Sequence, residues 1–209
     1  MTFSIVARDP KTLALGVAVS TAVPAVGSVV PHVQTDVGAI ATQAQTNTLY
    51  GTKGLQLLKK GLSPQKALEK MLTKDKDREK RQIAILDVEG RTAAFTGSKT
   101  EDWKDHHIGQ DHIVAGNMLT CELVILAMSE SFEQEKGSLA ERLLKALEAG
   151  QNTGGDKRGR MSAALKVADR RWRSTSRPIL DLRVDAHADP VKELRRVYKV
   201  STSYFQIPE

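Results

Sequence analysis

The sequence predicts an α+β protein in which two antiparallel sheets are covered by helices. Three observations predict it. The chain opens on two short, mainly apolar runs, residues 3–8 and 13–20, separated by turn residues, which is the pattern of a β-hairpin. These runs are apolar at successive positions rather than alternate ones, so both faces of each strand need cover from a helix layer or a second sheet. The remaining segments come in blocks of strands, helices, strands, helices and strands again, an order that suits layers built around a buried core.

Taken in order, residues 3–8 form the first strand. Asp9-Pro10-Lys11-Thr12 is the turn, with Pro presetting φ at its second position, and residues 13–20 form the second strand. The uncharged run 13–30 approaches the shortest membrane span. It contains Gly16, Ser20, Thr21, Pro24, Gly27 and Ser28, however, and Arg8-Asp9-Pro10-Lys11 before it is not the basic flank of a signal peptide. A buried strand, a turn near Pro24 and another strand are expected there, with no membrane role. Residues 37–45 form a further strand. Residues 55–60 form a short amphipathic helix ended by Gly61. Ser63 caps the next helix, with Pro64 at its first position and Ala67, Leu68, Met71 and Leu72 on one face.

Residues 82–88 and 91–96 form a second hairpin turning at Glu89-Gly90. A short strand over 112–115 precedes a helix over 122–133. Ser138 and Glu141 have capping-box spacing at the start of another helix, which Gly150 is placed to end. Residues 161–167 and 180–184 are late strands with a polar, basic loop, 168–178, between them. Asp189-Pro190 opens the last helix, Asp as its cap and Pro inside the first turn. No repeat or low-complexity segment interrupts this order, and residues 1–209 are expected to form one domain.

Hydrophobic residues make up 40% of the chain and charged residues 27%, the balance of a globular protein with a sizeable core. Cys121 is the one cysteine, so no intrachain disulfide is possible and a cytoplasmic location is expected. The net charge is +6, concentrated in Lys74, Lys76, Arg78, Lys80 and Arg81 and in Arg170, Arg171, Arg173 and Arg177. Aromatic residues are only 4%, no nucleic-acid signature accompanies the clusters, and Asp75, Asp77 and Glu79 alternate into the first. Solvated surface or a subunit contact is the expected reading, without nucleic acid as a partner.

Thr2 follows the initiator Met directly. Methionine is commonly trimmed before so small a residue, and trimming would give Thr2 a hydroxyl nucleophile and an amine base in one residue. Four polar clusters could surround such a centre: Ser20-Thr21, Thr42-Gln43-Ala44-Gln45-Thr46-Asn47, Gly116-Asn117-Met118-Leu119, and Gly154-Gly155-Asp156-Lys157-Arg158-Gly159-Arg160-Met161-Ser162. Each has a structural reading as a turn, cap or ion-paired loop. Each also has a functional one, since amides and hydroxyls at strand ends are costly to bury unless they find partners. Arg beside Asp can in addition bind a carboxylate in bidentate fashion.

The segment Asp105, His106, His107, Asp111 and His112 holds metal-ligating types, but at no spacing that defines a metal site, and adjacent His106 and His107 would point to opposite faces of a strand. His32 and His187 are lone histidines with structural readings. The chain carries no GxSxG elbow, phosphate loop or dinucleotide fingerprint. Cys121, at a helix start, has no identifiable base.

Taken together, these stretches resemble the bacterial family catalogued as domain of unknown function 1028, placed in the N-terminal-nucleophile hydrolase superfamily. The resemblance rests on Thr2-Phe3-Ser4-Ile5-Val6-Ala7-Arg8-Asp9, Val29-Val30-Pro31-His32, Gly38-Ala39-Ile40-Ala41-Thr42-Gln43 and Tyr50-Gly51. Arg81-Gln82, Gly116-Asn117-Met118-Leu119, Leu139-Ala140-Glu141-Arg142-Leu143, the Gly154-to-Arg160 loop and Asp181-Leu182-Arg183-Val184-Asp185 complete it. Two positions depart: Met161 stands where Gln is expected, and Ala186 where a second Asp is usual before His187.

The resemblance implies a four-layer αββα sandwich and puts Thr2 where the superfamily carries its nucleophile. It supplies no function of its own. The leading expectation is an amidohydrolase acting on a small, acidic substrate, with catalytic Thr2 and Asn117 and with Ser20, Gln43, Asp156, Arg158 and Arg160 as substrate-binding candidates. Neither metal nor cofactor is called for. The alternatives are a non-catalytic metabolite-binding or assembly protein on the same fold, and a metal-dependent hydrolase using His106, His107 or His112. A homo-oligomer is expected by analogy with the superfamily.

Overall fold

The computed structural model describes residues 2–172 and 179–205. Strands β1 (Thr2–Arg8) and β2 (Leu15–Thr21) pair as the opening hairpin, with Phe3 opposite Ser20 and Arg8 opposite Leu15. Together with β7 (Asp105–Gly109), β8 (His112–Asn117), β9 (Ser162–Ala168) and β10 (Ile179–Val184) they form a six-stranded antiparallel sheet in the order β10-β9-β2-β1-β8-β7. The second sheet is also antiparallel, ordered β3 (Pro31–Gln34), β4 (Gly38–Ala44), β5 (Arg81–Asp87) and β6 (Thr92–Thr96).

Helices cover the outer faces. On the first sheet, α3 (Leu123–Gln134), α4 (Leu139–Asn152) and α5 (Pro190–Phe205) bury Phe3, Ile5, Leu143, Leu147 and Phe132. On the second, α1 (Leu49–Lys59) and α2 (Pro64–Leu72) pack over Ile40, Ile83 and Ile85. Between the sheets lie Val6, Val17, Val19, Ile113, Ala39, Ala41, Ala84 and Leu86. The protein is thus a four-layer αββα sandwich, the architecture the resemblance implied. Its early strands are buried on both faces, as their unbroken apolar runs required.

Two of the three predicted N-caps form side-chain bonds: Ser63 Oγ accepts from Lys66 N and Ser138 Oγ from Glu141 N, each at 3.4 Å. Four local differences have physical causes. The expected strand after Pro24 is a 3-10 turn, Val26–Ser28, entered through Ala25 at φ 57, and the next strand is the short β3. Helix α1 begins at Leu49 rather than residue 55, because Gly51 and Gly54 disguise it. A Cβ at Gly51 would lie 2.1 Å from the His32 ring, so close approach outweighs the low helix propensity of Gly. Helix α4 runs through Gly150, where a Cβ would stand 2.7 Å from Met128, and stops before Gly154. Strand β7 carries no apolar run, being a half-exposed edge strand. Of the expected loop 168–178, Arg170–Trp172 is a 3-10 turn, and residues 173–178, including Arg173 and Arg177, lie outside the described residues, as does Met1.

Candidate active site

The layer between the sheets changes character along the strands. Its apolar stretch ends at one edge of the sandwich, where the inward positions become hydrogen-bonding residues: Ser4 and Thr2 on β1 after Val6, Thr21 on β2 after Val19, and Asn117 on β8. On the facing sheet Gln43 follows Ala41 and Gln82 follows Ala84. All six are buried, with Ser4, Thr21 and Gln82 fully so. Such a concentration is stable only if the groups satisfy one another.

They do so in a network whose orientation is determined. Gln82 Nε2 faces two backbone carbonyls, Gly116 O at 2.8 Å and Asp105 O at 3.0 Å, and also Thr96 Oγ1 at 3.0 Å. Only the N–H side of the amide can face carbonyls, so Gln82 Oε1 points inward. It accepts from Gln43 Nε2 and Asn117 Nδ2, both at 2.8 Å. Gln43 Oε1 in turn accepts from Ser4 Oγ at 2.7 Å, and Gln43 Nε2 also meets Ala115 O at 3.2 Å. Both N–H groups of Gln43 are therefore engaged. Asn117 donates one N–H to Gln82 and has a second. At the far end Thr96, which accepts from Gln82, lies 2.8 Å from His106 Nδ1. Burial lowers the His106 pKa against the opposing pull of Asp105, which suits a neutral ring accepting the Thr96 proton.

Thr2 is directly opposite Asn117 in the β1–β8 ladder, and Thr21 opposite Ser162 in the β2–β9 ladder. Directly opposed residues share a face. Ser162, Thr21, Thr2 and Asn117 thus form one row across the sheet, with Thr2 Oγ1 3.4 Å from Thr21 Oγ1. Ser20 belongs to the other face: its Oγ donates to Ser162 O at 3.3 Å. The hydroxyl beside Thr2 is that of Thr21, one residue on.

Asp156 is bridged to Leu119 beneath the row, in a loop entered through Gly154 and Gly155 at positive φ. Its Oδ2 accepts from Ala22 N at 3.0 Å and from Arg158 Nη2 at 3.3 Å, and its Oδ1 accepts from Arg158 N at 2.8 Å. Asp156 therefore ties the loop to the end of β2 and aims Arg158. Arg160 is elsewhere, exposed and 3.4 Å from Asp189. Of the two departures, Met161 takes part through its backbone, N to Thr21 O and O from His187 N, both at 2.8 Å.

A cavity of about 280 Å³ opens at this edge, lined among others by Gln45, Lys80, Lys99, Glu101, Asn117 and Arg158. Lys80 there is paired with Asp77 and Arg158 with Asp156, whereas Lys99 makes no ion pair among the described residues. Its wall is braced by Arg81, which donates to Gln45 O at 2.7 Å and Asp75 Oδ2 at 2.9 Å, while Tyr50 donates to the same oxygen at 3.0 Å. Hydrogen bonding from Arg81 holds the Asp75 carboxyl at about 2, and burial pushes the Tyr50 phenol up. Gln82 escaped the sequence reading as a site residue, and Thr21 entered it only within the Ser20-Thr21 cluster, where Ser20 was the named candidate. The signal for Gln82 was a polar residue opening an otherwise apolar strand.

The three histidines do not share one site: His107 and His112 approach each other, with ring centroids 6.3 Å apart, but His106 is turned away from them. His106 faces the inter-sheet layer, whereas His112 is on the helix side, its Nε2 2.8 Å from Ser129 Oγ. Among the described residues no three His, Cys, Asp or Glu side chains are grouped to hold a metal ion. No helix among them is long and apolar enough to cross a membrane.

Fold and site together define an αββα sandwich in which Thr2, buried on the first strand, pairs with Asn117, a residue that lines the cavity at this edge. The chain belongs to the family of unknown function DUF1028, whose model matches residues 2–194. It is similar to the crystal structure of protein SPO2555 from Silicibacter pomeroyi, of that family, with 36% identity and a TM-score of 0.88, covering 96% of this chain and 86% of that one. A remote likeness, TM-score 0.42 and 10% identity over 99% of this chain and 98% of the other, is to Anbu (ancestral beta-subunit) from Yersinia bercovieri. No curated protein matches the chain.

Proposed function

We propose that the protein is an N-terminal-nucleophile amidohydrolase acting on a small substrate that carries a negative charge. The observation that carries this reading is the pairing of Thr2 with Asn117, which lines a cavity together with Lys80, Lys99 and Arg158. With Met1 removed, the Thr2 α-amine, ordinarily titrating at about 7.7–8.0, takes the proton from Oγ1 as the hydroxyl attacks the carbonyl carbon of the substrate. The second N–H of Asn117 stabilises the developing oxyanion, and Gln82 holds the amide in orientation. The amine proton then passes to the leaving nitrogen. The resulting ester on Thr2 is hydrolysed by a water that the α-amine deprotonates, and the carboxylic acid leaves. Lys80, Lys99 and Arg158 attract the substrate's anionic group. Lys99, which makes no ion pair among the described residues, supports an acidic substrate, and the modest cavity supports a small one.

The test is a panel of amides, with and without a carboxylate on the acyl side, offered to protein shown by mass to begin at Thr2. Turnover that disappears in Thr2→Ala supports the reading. Turnover that survives in Thr2→Ala removes it.

A further inference from the structure

The geometry points to a second anion-binding site, in the groove between α1 and α2. A cavity of about 390 Å³ lies there, and four lysines line it: Lys53 from α1, Lys60 at the C-cap of α1, Lys70 from α2 and Lys74 just beyond α2. Positions 53, 56, 57 and 60 recur at helical spacing, so α1 turns one stripe of its surface toward the groove. All four lysines are exposed.

What distinguishes this group from an ordinary solvated face is the lack of compensation. The ion pairs of the neighbourhood join Arg81 to Asp75 and Lys80 to Asp77. Among the described residues none involves Lys53, Lys60, Lys70 or Lys74. The one carboxylate in the lining, Asp75, is committed to Arg81 and Tyr50. Four ammonium groups therefore converge on one concavity with no internal counter-charge, and their fields add within it. Lysine ammoniums bind phosphate as point charges. Leu57 and Met71 supply an apolar floor beside the charges, so the occupant is a small organic molecule bearing at least two negative charges, a phosphorylated metabolite above all. The volume suits a small molecule better than a polymer. The site shares a wall with the Asn117 cavity, because Asp75 lines the groove while its partner Arg81 bonds Gln45 of the other cavity.

The inference stands independently of the proposed hydrolase and is tested without substrate. In a Lys80→Gln, Lys99→Gln, Arg158→Gln background, which removes the competing cations of the first cavity, pyrophosphate and ATP are titrated calorimetrically at about 0.1 M ionic strength. Saturable binding is expected, weakened about tenfold or more when Lys53→Gln and Lys70→Gln are added. Should that variant not fold, Lys60→Gln with Lys74→Gln serves the same purpose on a separate pair of exposed positions. Absence of saturable binding of both probes, or binding undiminished by loss of the groove lysines, overturns the site. Tighter binding of a single-stranded oligonucleotide than of ATP to the same lysines overturns the small-molecule assignment.

Discussion

Thr2 and Asn117 are direct partners in the antiparallel ladder of β1 and β8, with both side chains on the face turned to the second sheet. The hydroxyl at the start of the chain and the amide at the end of β8 are therefore held at a separation set by sheet geometry rather than by loops. Asn117→Ala keeps the ladder, because its pairing is through backbone. It is expected to lower kcat by about 10²–10³-fold with little change in KM, the usual effect of deleting one oxyanion donor. Steady-state kinetics on any amide that the wild type turns over would show it; an unchanged kcat would free Asn117 from the mechanism.

Gln82 is the residue on which the amide network depends. Gln82→Leu leaves Gly116 O, Asp105 O and the N–H groups of Asn117 and Gln43 without their partner. Each buried polar group so orphaned costs about 1–3 kcal/mol. A loss of at least about 3 kcal/mol is expected in urea unfolding, with a loss of activity in whatever protein still folds.

Lys99 and Arg158 are predicted to govern affinity rather than turnover. Lys99→Gln and Arg158→Gln should each raise KM for carboxylate-bearing amides by up to about tenfold, and leave neutral amides nearly unaffected. Equal effects on both substrate classes would show that the cavity charge does not read the substrate.

Two pH dependences follow. Burial lowers the pKa values of His32, His106 and His112 from the ordinary 6.5, so the native state resists protonation of these rings. Their contribution is intact above about 6.5, where they are neutral in both states. It is lost as pH falls, because the unfolded chain then binds protons that the folded one refuses. Asp75, held at about 2 instead of 3.8 by Arg81, stabilises the fold above about 3.8 and ceases to do so as pH falls toward 2. Denaturation midpoints measured from pH 8 downward should stay level and then decline below about 6.5, and the decline should be shallower in His106→Gln. Activity should rise with pH through the titration of the Thr2 α-amine.

Much of the fold was legible because its signals are local. The doubly apolar runs of β1 and β2, the Glu89-Gly90 hairpin and the caps Ser63 and Ser138 each depend on a few adjacent residues. What was not legible depends on partners distant in the chain. Gly51 and Gly54 look like helix interruptions until His32 and Ile40 are seen against them. Strand β7 has no apolar period, and it is a strand because β8 offers it an edge. At the site the difference between Ser20 and Thr21 is one step of the pleat, which sends one hydroxyl to the helix layer and the other to Thr2. Gln82 joins the site only because β5 faces β8 across the sandwich.

The most direct test of the central claim compares two preparations of the same chain, one verified by intact mass to begin at Thr2 and one retaining Met1. The retained methionine turns the α-amine of Thr2 into an amide and deprives the hydroxyl of its base. Amide hydrolysis by the trimmed protein alone is the predicted result. Equal hydrolysis by both preparations would contradict the assignment of Thr2 as nucleophile.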